Sequence, residues 1–420
     1  MHNYFFLIIL ISLSAGFAYI NHRYIRMPFV IGLFFLSAVM SALVISSQYW
    51  NPLFYNNIRT TIVKIDLSKL ILDIMLGFLL FAGSLQTSWR KVKQQIRPIG
   101  LFAIAGIFVS VMIIGTLFFF FCGSLGIEIN FTEALLFGAL ISPTDPIAVL
   151  GILVKANVPK KMQTVLVGES LFNDGIGVVV FIVLLESLHT GKSIDALHFS
   201  SLFLKEAMGG VVFGLLSGYI LHQLLKSIDN YETEVLLTIA FVMAGYFFCS
   251  YIHLSGALGM VAMGLFIGNF RQEEAISEPT LDYIHKFWEL IDVILNGILF
   301  ISIAFVMIIV DFQMKYFLIS LVSVGIVLLS RIIIIYVPNL LFPNFTGLGN
   351  HESKLLVWGG LRGGLSIAMV LSLPDIPIKP LLLMVTYTCV VFSILIQGLS
   401  IEKLAVKLSE KKKQITEDIG

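Results

Sequence analysis

Long apolar segments recur along the whole chain, and this feature limits its possible folds more than any other. A helix that crosses the hydrocarbon core of a bilayer needs about 20 mostly apolar residues. Backbone N–H and C=O groups find no water there, so such segments satisfy them by forming helices. The sequence therefore predicts an all-α polytopic membrane protein with about 13 transmembrane helices. The predicted spans are 4–20, 28–46, 67–85, 98–122, 133–154, 163–188, 203–226, 232–250, 255–270, 286–310, 316–338, 353–373 and 380–402.

The composition supports the same class of protein. Hydrophobic residues make up 58% of the chain and charged residues only 13%, whereas soluble domains have a charged fraction of about 25%. A net charge of +1 provides no basic surface for a nucleic acid, so we expect no nucleic-acid partner. Cys122, Cys249 and Cys389 fall in apolar segments, which is typical of small core residues. We expect a single membrane domain over residues 1–420, whose first span is retained and not cleaved.

The positive charges orient the predicted spans. Cytoplasmic loops carry more Lys and Arg than loops on the other side of a membrane. Most of the 27 Lys and Arg residues fall on the side that also holds the C-terminal lysines at 403, 407 and 411–413. The bias predicts a short cytoplasmic tail, 403–420, and an N-terminus outside the cell. We therefore expect an integral protein of the plasma (inner) membrane.

Ionisable side chains also fall inside the predicted spans. Burying a charge in a bilayer is costly, so such residues usually mark a functional site or a structural ion pair. The mid-span residues of this kind are Asp145, Glu169, Asp174, Arg331 and Arg362. Structural hydrogen bonds or interface contacts are the favoured interpretation for a second set: Asp73, Glu289, Asp292 and His253.

The segment VGESLFNDGIG carries two acids and two neutral polar residues within a predicted helix. Ser170 and Asp174 are four residues apart and share one helix face, whereas Glu169 and Asn173 share the adjoining face. The Ser170–Asp174 face could offer oxygens to a small cation, while Glu169 could turn toward a buried positive partner. Glycines on both sides of these residues allow neighbouring elements to approach closely.

The segment ISPTDPIAVLG, residues 141–151, predicts a break in the middle of a span. Pro143 and Pro146 each remove a backbone donor and disfavour helical geometry in the preceding residue. Broken backbone at this depth frees carbonyl groups that can bind a cation. Thr144 and Asp145 between the prolines favour such a site over the alternative, a kinked structural helix.

The segment WGGLRGGLSIAMV, residues 358–370, predicts a second break. Four glycines bracket Arg362, which places a fixed positive charge in a loosened helix. A glycine-rich packing helix with a snorkelling Arg is the alternative, but the apolar flanks are too long for easy snorkelling. The two breaks lie seven spans apart, one in each half of the chain. This spacing predicts inverted six-helix repeats with two crossing discontinuous helices, as in many secondary transporters.

These motifs resemble the monovalent cation/proton antiporter family, in its NhaP-like and sodium/hydrogen-exchanger branch. The matching motifs are TDP (144–146), GESLFNDG (168–175), an SG pair (255–256), FW (287–288) and GGLRGG (359–364). TDP followed by GESLFNDG at this distance is a specific signal, although each tripeptide alone is weak. The resemblance implies the NhaA-like antiporter fold.

The resemblance also implies an ion-binding site. Its central group would be the carboxylate of Asp174, which binds either a proton or a cation. Ser170, Thr144 and Asp145 would supply supporting oxygens, and Asn173 would supply a neutral amide. A bound Na⁺ would lie at Asp174, Ser170 and Thr144.

The family further implies roles for the buried charges. Glu169 would pair with Arg331, and Arg362 would balance the charge of the broken helix ends. The chain departs from several relatives in the third span, where their acidic residue aligns with Phe81. Asp73 lies two turns earlier in the same span.

The family fold is a homodimer whose two domains move relative to each other in elevator-type alternating access. By this resemblance, the core (transport) domain would comprise about 98–188 and 316–402. The dimerisation domain would comprise about 4–85 and 203–310.

The activity expected from these features is secondary active antiport of Na⁺, or of Li⁺ or K⁺, against H⁺. Cation and proton would compete for Asp174, so the exchange needs no cofactor, no ATP site and no enzymatic step. If Arg331 neutralises Glu169 and residue 173 is Asn, one net charge titrates. The exchange would then be electroneutral, one cation for one proton, and would serve sodium and pH homeostasis.

Three other classes of protein also place polar groups in a membrane. An intramembrane aspartyl protease would need a GxGD motif, but the glycines here follow the acid in DGIG. A cation channel would need a repeated filter segment, and none occurs in the sequence. A transporter of a small organic substrate would need more aromatic or polar lining than the small set of oxygens seen here.

Overall fold

The fold of the chain is helical throughout. A computed structural model describes residues 2–64, 66–156, 158–190, 196–269, 278–310 and 312–417, and no strand occurs among them. The helices of the first half are α1 (His2–Ile20), α2 (Phe29–Ser46), α3 (Pro52–Val63), α4 (Leu67–Lys69), α5 (Leu76–Leu85), α6 (Trp89–Gln94), α7 (Ile96–Gly100), α8 (Gly106–Ser124), α9 (Phe131–Ile141), α10 (Ile147–Lys155) and α11 (Lys160–Thr190). Those of the second half are α12 (Ala196–Lys226), α13 (Tyr231–Tyr251), α14 (Gly256–Asn269), α15 (Glu278–Ile309), α16 (Met314–Leu341), α17 (Pro343–Thr346), α18 (Asn350–Gly359), α19 (Gly364–Ser372), α20 (Lys379–Val391) and α21 (Gly398–Glu417).

The spans agree in position with the apolar segments. Within the described ranges, nine helices are long and apolar enough to cross a membrane, and the bent pair α18 and α19 makes up to ten. Three predicted spans are not among these ten. The predicted span 4–20 overlaps α1, and the predicted span 255–270 overlaps the short helix α14. The predicted span 133–154 is divided between the short helices α9 and α10. The number thirteen therefore stays a prediction.

The chain forms two compact units, each assembled from segments that are distant in sequence. The first comprises Met1–Ser68, Thr144–Leu166 and Asn296–Gly420, and the second comprises Lys69–Pro143 and Val167–Leu295. The predicted division into a core domain and a dimerisation domain has other boundaries and stays a prediction.

The core of the first unit is built around α16, α18, α19, α20 and α21. Helix α20 packs against both α16 and α19, and α21 packs against α10 and α18. The apolar side chains from Ile367 to Val370 on α19 are fully buried. Residues 403–417 of the predicted tail belong to α21, and residues 418–420 lie outside the described ranges. Ile401, just before the predicted tail, and Ala405, within it, are both buried.

The second unit packs α14 between α5 and α12. Glycines make these contacts close: a Cβ added to Gly264 would lie 2.7 Å from Phe81 O, and one added to Gly214 would lie 2.9 Å from Ala262 Cβ. Small residues allow membrane helices to approach in this way. The FW motif belongs to this core, because the ring of Trp288 lies 4.7 Å from that of Phe81 and its indole donates to Thr238.

Candidate functional site

Helix α11 carries the four polar residues of the GESLFNDG motif, as the sequence predicts. Glu169, Ser170 and Asn173 are 1%, 2% and 2% exposed, and Asp174 is half-buried. The helix is unbroken from Lys160 to Thr190, so the motif sits on continuous helical backbone. Buried oxygens on one helix form an environment in which a cation or a proton can compensate a carboxylate.

The glycines of α11 are close-approach positions. A Cβ added to Gly168 would lie 2.6 Å from Ile99 Cδ1, and one added to Gly175 would lie 2.6 Å from Leu258 Cδ2. A Cβ added to Gly177 would overlap the ring of Pro143. Neighbouring elements therefore pack directly on the backbone around Asp174, as predicted.

The proline break is present and carries its own cap. Helix α9 ends at Ile141, α10 begins at Ile147, and residues 142–146 are not helical. The N–H of Ile147 donates to Asp145 Oδ1 at 2.9 Å, so the carboxylate satisfies an N-terminal donor of α10. A negative charge at this end of a helix also complements its dipole. Thr144 is buried and Asp145 is half-buried.

The glycine break lies between α18 and α19, which are bent by 44°. Its central residue, Arg362, is 3% exposed. The two breaks contact each other: the N–H of Asp145 donates to Leu361 O at 2.8 Å. A Cβ added to Gly363 would lie 2.5 Å from Asp145 Oδ2, so this carboxylate also lies beside the N-terminus of α19. The predicted meeting of two discontinuous segments is thus confirmed.

Arg331, on α16, contacts the C-terminal end of the half-helix α18. Its side chain is 5% exposed, and Nε and Nη2 donate to Leu356 O at 3.3 and 3.0 Å. The last carbonyls of a helix have no partner within that helix and carry its partial negative charge. The guanidinium therefore neutralises the end of α18, a contact that the sequence did not indicate. The pairing of Arg331 with Glu169 stays a prediction.

Phe81, at the position where the resemblance led us to expect an acid in other family members, lies in an aromatic core. The side chain of Phe81 is fully buried against Trp288, so this position offers no oxygen to an ion. Asp73 lies in the π-helical segment Leu70–Met75, and its side chain is exposed. In the described part of the chain, no group of three or more His, Cys, Asp or Glu side chains could hold a metal ion.

The sequence analysis did not single out two neutral polar residues of the last span. Ser393 and Gln397 are 3% and 2% exposed, and Gln397 Nε2 donates to Trp358 O at 3.3 Å in the half-helix α18. An amide inside an apolar span was the signal that could have identified this contact.

Comparisons with known proteins agree with the resemblance and with the fold. The family model described as "Sodium/hydrogen exchanger, transmembrane" matches residues 9–407. The chain is 41% identical over 403 residues to the Na(+)/H(+) antiporter NhaP of Pseudomonas aeruginosa, a match that covers 95% of both chains. It is 34% identical over 346 residues to the Na(+)/H(+) antiporter NhaH of Halobacillus dabanensis, covering 80% of this chain and 83% of that one.

A solved structure gives the same answer for the fold. The sodium proton antiporter MjNhaP1 from Methanocaldococcus jannaschii at pH 8 superposes with a TM-score of 0.77 at 18% identity, covering 97% of this chain and 99% of that chain. The predicted fold class is therefore confirmed.

Proposed function

Because the chain belongs to the sodium/hydrogen exchanger family, whose members are transporters and not enzymes, we propose that it exchanges Na⁺ for H⁺ across the membrane. The observation that carries this proposal is the buried GESLFNDG motif on α11 in a chain 41% identical to a Na(+)/H(+) antiporter over 95% of both sequences. The proton gradient would drive the exchange, with no cofactor.

The ion would bind at Asp174. Its carboxylate accepts either a proton or Na⁺, and Ser170, Thr144 and Asp145 supply further oxygens. Asn173 contributes a neutral amide beside the carboxylate. The burial of Ser170, Asn173 and Thr144 supports this set, because buried oxygens can replace the hydration shell of a small cation. Li⁺ and K⁺ are alternative cations for the same oxygens.

The exchange would be electroneutral. Glu169 and Arg331 are both buried, and buried charges are retained when they are paired. Their pairing would leave Asp174 as the group that titrates during transport. Arg362 would offset the charge of the broken helix ends and take no part in ion binding.

The transport cycle would be an elevator-type movement of a core domain, 98–188 and 316–402, in a homodimer held by 4–85 and 203–310. The protein would lie in the plasma (inner) membrane, with its N-terminus outside and its C-terminus in the cytoplasm. The excess of Lys and Arg on one side of the spans supports this orientation.

The test is Na⁺-driven proton flux in proteoliposomes that contain a pH-sensitive dye. We expect flux in the wild type, no flux in Asp174→Asn, and wild-type flux in the control Asp375→Asn. Asp375 is an exposed carboxylate that pairs with Lys379 at 3.3 Å. Clamping the voltage with K⁺ and valinomycin should leave the rate unchanged.

Competition further predicts that the apparent KM for Na⁺ rises by up to about tenfold for each unit by which the pH falls.

The same assay distinguishes the alternatives. Exchange that persists in Asp174→Asn would move the ion site elsewhere, with Asp145 and Asp73 as the next candidates. Na⁺ flux without proton coupling would indicate a channel. The absence of flux with any alkali cation would contradict antiport and would favour an organic substrate.

A further inference from the structure

The last span contains a π-helical segment, Phe392–Gln397, between α20 and α21. A π-helical turn inside a helix is rare and often accompanies a functional site. Two polar side chains of this segment, Ser393 and Gln397, are almost completely buried. Neither side chain is ionisable, and neither has a role in the proposed ion site.

Both side chains belong to one chain of hydrogen bonds that ends on the broken helix. Ser393 Oγ donates to Gln397 Oε1 at 2.7 Å, and Gln397 Nε2 donates to Trp358 O at 3.3 Å. The indole Nε1 of Trp358 in turn donates to Ser400 Oγ at 2.8 Å. Trp358 is therefore held through its main chain and through its side chain by residues that lie one turn apart.

These bonds satisfy carbonyl groups that the broken helix leaves without helical partners. The last carbonyls of α18 cannot find helical partners, and an unsatisfied carbonyl is costly inside a membrane. Arg331 donates a hydrogen bond to Leu356 O, and Gln397 donates one to Trp358 O. The N–H of Asp145 donates to Leu361 O. Two carbonyls near the end of α18 and one in the non-helical segment after it are thus satisfied by residues from other parts of the unit.

The packing next to these bonds is not complete. A small cavity lies between α16, the glycine break and the π-helical segment, and polar groups of Arg331, Arg362, Ser393 and Gln397 line it beside Gly360. The side chains around it therefore leave a little space beside the end of α18. The hydrogen bonds from Arg331 and Gln397 add to the packing that restrains this end.

We propose that Gln397 is a positioning residue for transport: its carboxamide, oriented by Ser393, fixes the end of α18 and with it the non-helical backbone that contacts Asp145. This inference rests on the proposed antiport for its transport readout. When Gln397 is removed, the backbone beside Asp145 gains freedom, so binding of Na⁺ must first order it. The apparent affinity for Na⁺ should then fall more than the maximal rate.

The first test compares Gln397→Leu with Gln163→Leu. Gln163 also donates its Nε2 to a carbonyl oxygen, that of Val158 at 2.8 Å, but it does so outside the two breaks. In proteoliposomes we expect the apparent KM for Na⁺ to rise roughly threefold to tenfold in Gln397→Leu, the usual effect of losing one buried hydrogen bond. Gln163→Leu should keep the wild-type KM. A Gln397→Leu protein with a lower Vmax per reconstituted chain but an unchanged KM would overturn the proposal, because a purely structural role predicts that result.

The second test is hydrogen–deuterium exchange of the peptide that covers residues 355–363, in detergent and without Na⁺. Faster exchange of this peptide in Gln397→Leu is expected, and a smaller increase in Ser393→Ala, which keeps the amide but leaves it unoriented. Ser393→Ala also serves if Gln397→Leu does not fold. Exchange equal to that of the wild type in both variants would contradict the proposal. This test requires no transport, so it separates a failure of the positioning role from a failure of the proposed antiport.

Discussion

The two breaks in the membrane helices satisfy their backbone groups in different ways. At the proline break, Asp145 accepts from the N–H of Ile147, two residues further along the chain. At the glycine break, Arg331 and Gln397 supply the donors, and they lie 25 and 39 residues away from the carbonyls of Leu356 and Trp358. The helix that follows the proline break is capped locally, whereas the helix that precedes the glycine break is capped by distant parts of the chain.

This difference follows from the residues that make each break. Proline removes a donor and leaves a short non-helical segment, in which an acidic side chain can reach the next helix start. Glycine loosens the helix but brings no side chain, and an arginine cannot accept a hydrogen bond. We therefore expect the glycine break to be sensitive to distant substitutions and the proline break to be sensitive to local ones.

The largest effect should come from Arg331→Met. The substitution removes the donors to Leu356 O and, under the proposed pairing, leaves Glu169 as an uncompensated buried charge. Loss of one partner of a buried pair costs about 3–5 kcal/mol of unfolding free energy. Denaturant titration in mixed micelles measures this loss, and Glu169→Gln combined with Arg331→Met should recover part of it.

The matched control is Lys161→Met. Lys161 also donates to a main-chain carbonyl, that of Gly347, but the contact is exposed. Exposed contacts of this kind contribute about 1 kcal/mol or less. If Arg331→Met were no more destabilising than Lys161→Met, the glycine break would not depend on a distant cap, and the contrast between the two breaks would be wrong.

The same contrast explains what could be predicted from the sequence. The breaks were predictable because Pro143, Pro146 and the glycines around Arg362 act through local backbone geometry. The caps from Arg331 and Gln397 were not, because nothing in a single sequence states which carbonyl a distant side chain reaches. The burial of Phe81 against Trp288 was equally hidden, since this contact joins residues far apart in the chain.

The next largest effect should come from Gly363→Ala, which places a methyl group of the glycine break against Asp145 of the proline break. In Gly363→Ala the new Cβ would lie 2.5 Å from Asp145 Oδ2 and 2.7 Å from Asp145 Cβ. Overpacking of this kind typically costs about 1–3 kcal/mol, and the displaced carboxylate should also slow Na⁺-driven proton flux. Gly151→Ala is the control, because nothing lies within 4 Å of its added Cβ. Equal stability and flux in the two variants would mean that the breaks do not constrain each other.

The smallest effect separates the two roles of Asp145 at the proline break. Asp145→Ala removes the acceptor for the N–H of Ile147, and loss of such a cap costs about 0.5–2 kcal/mol. Asp145→Asn keeps an acceptor oxygen at the same place but removes the charge. We expect denaturant titration to find Asn close to the wild type in stability and Ala clearly below it. Since Asp145 is also a proposed ion ligand, the apparent KM for Na⁺ should rise in both variants.

If Asn were as destabilising as Ala, the charge beside the N-terminus of α19 would matter more than the hydrogen bond to α10. The proline break would then depend on its neighbour as the glycine break does.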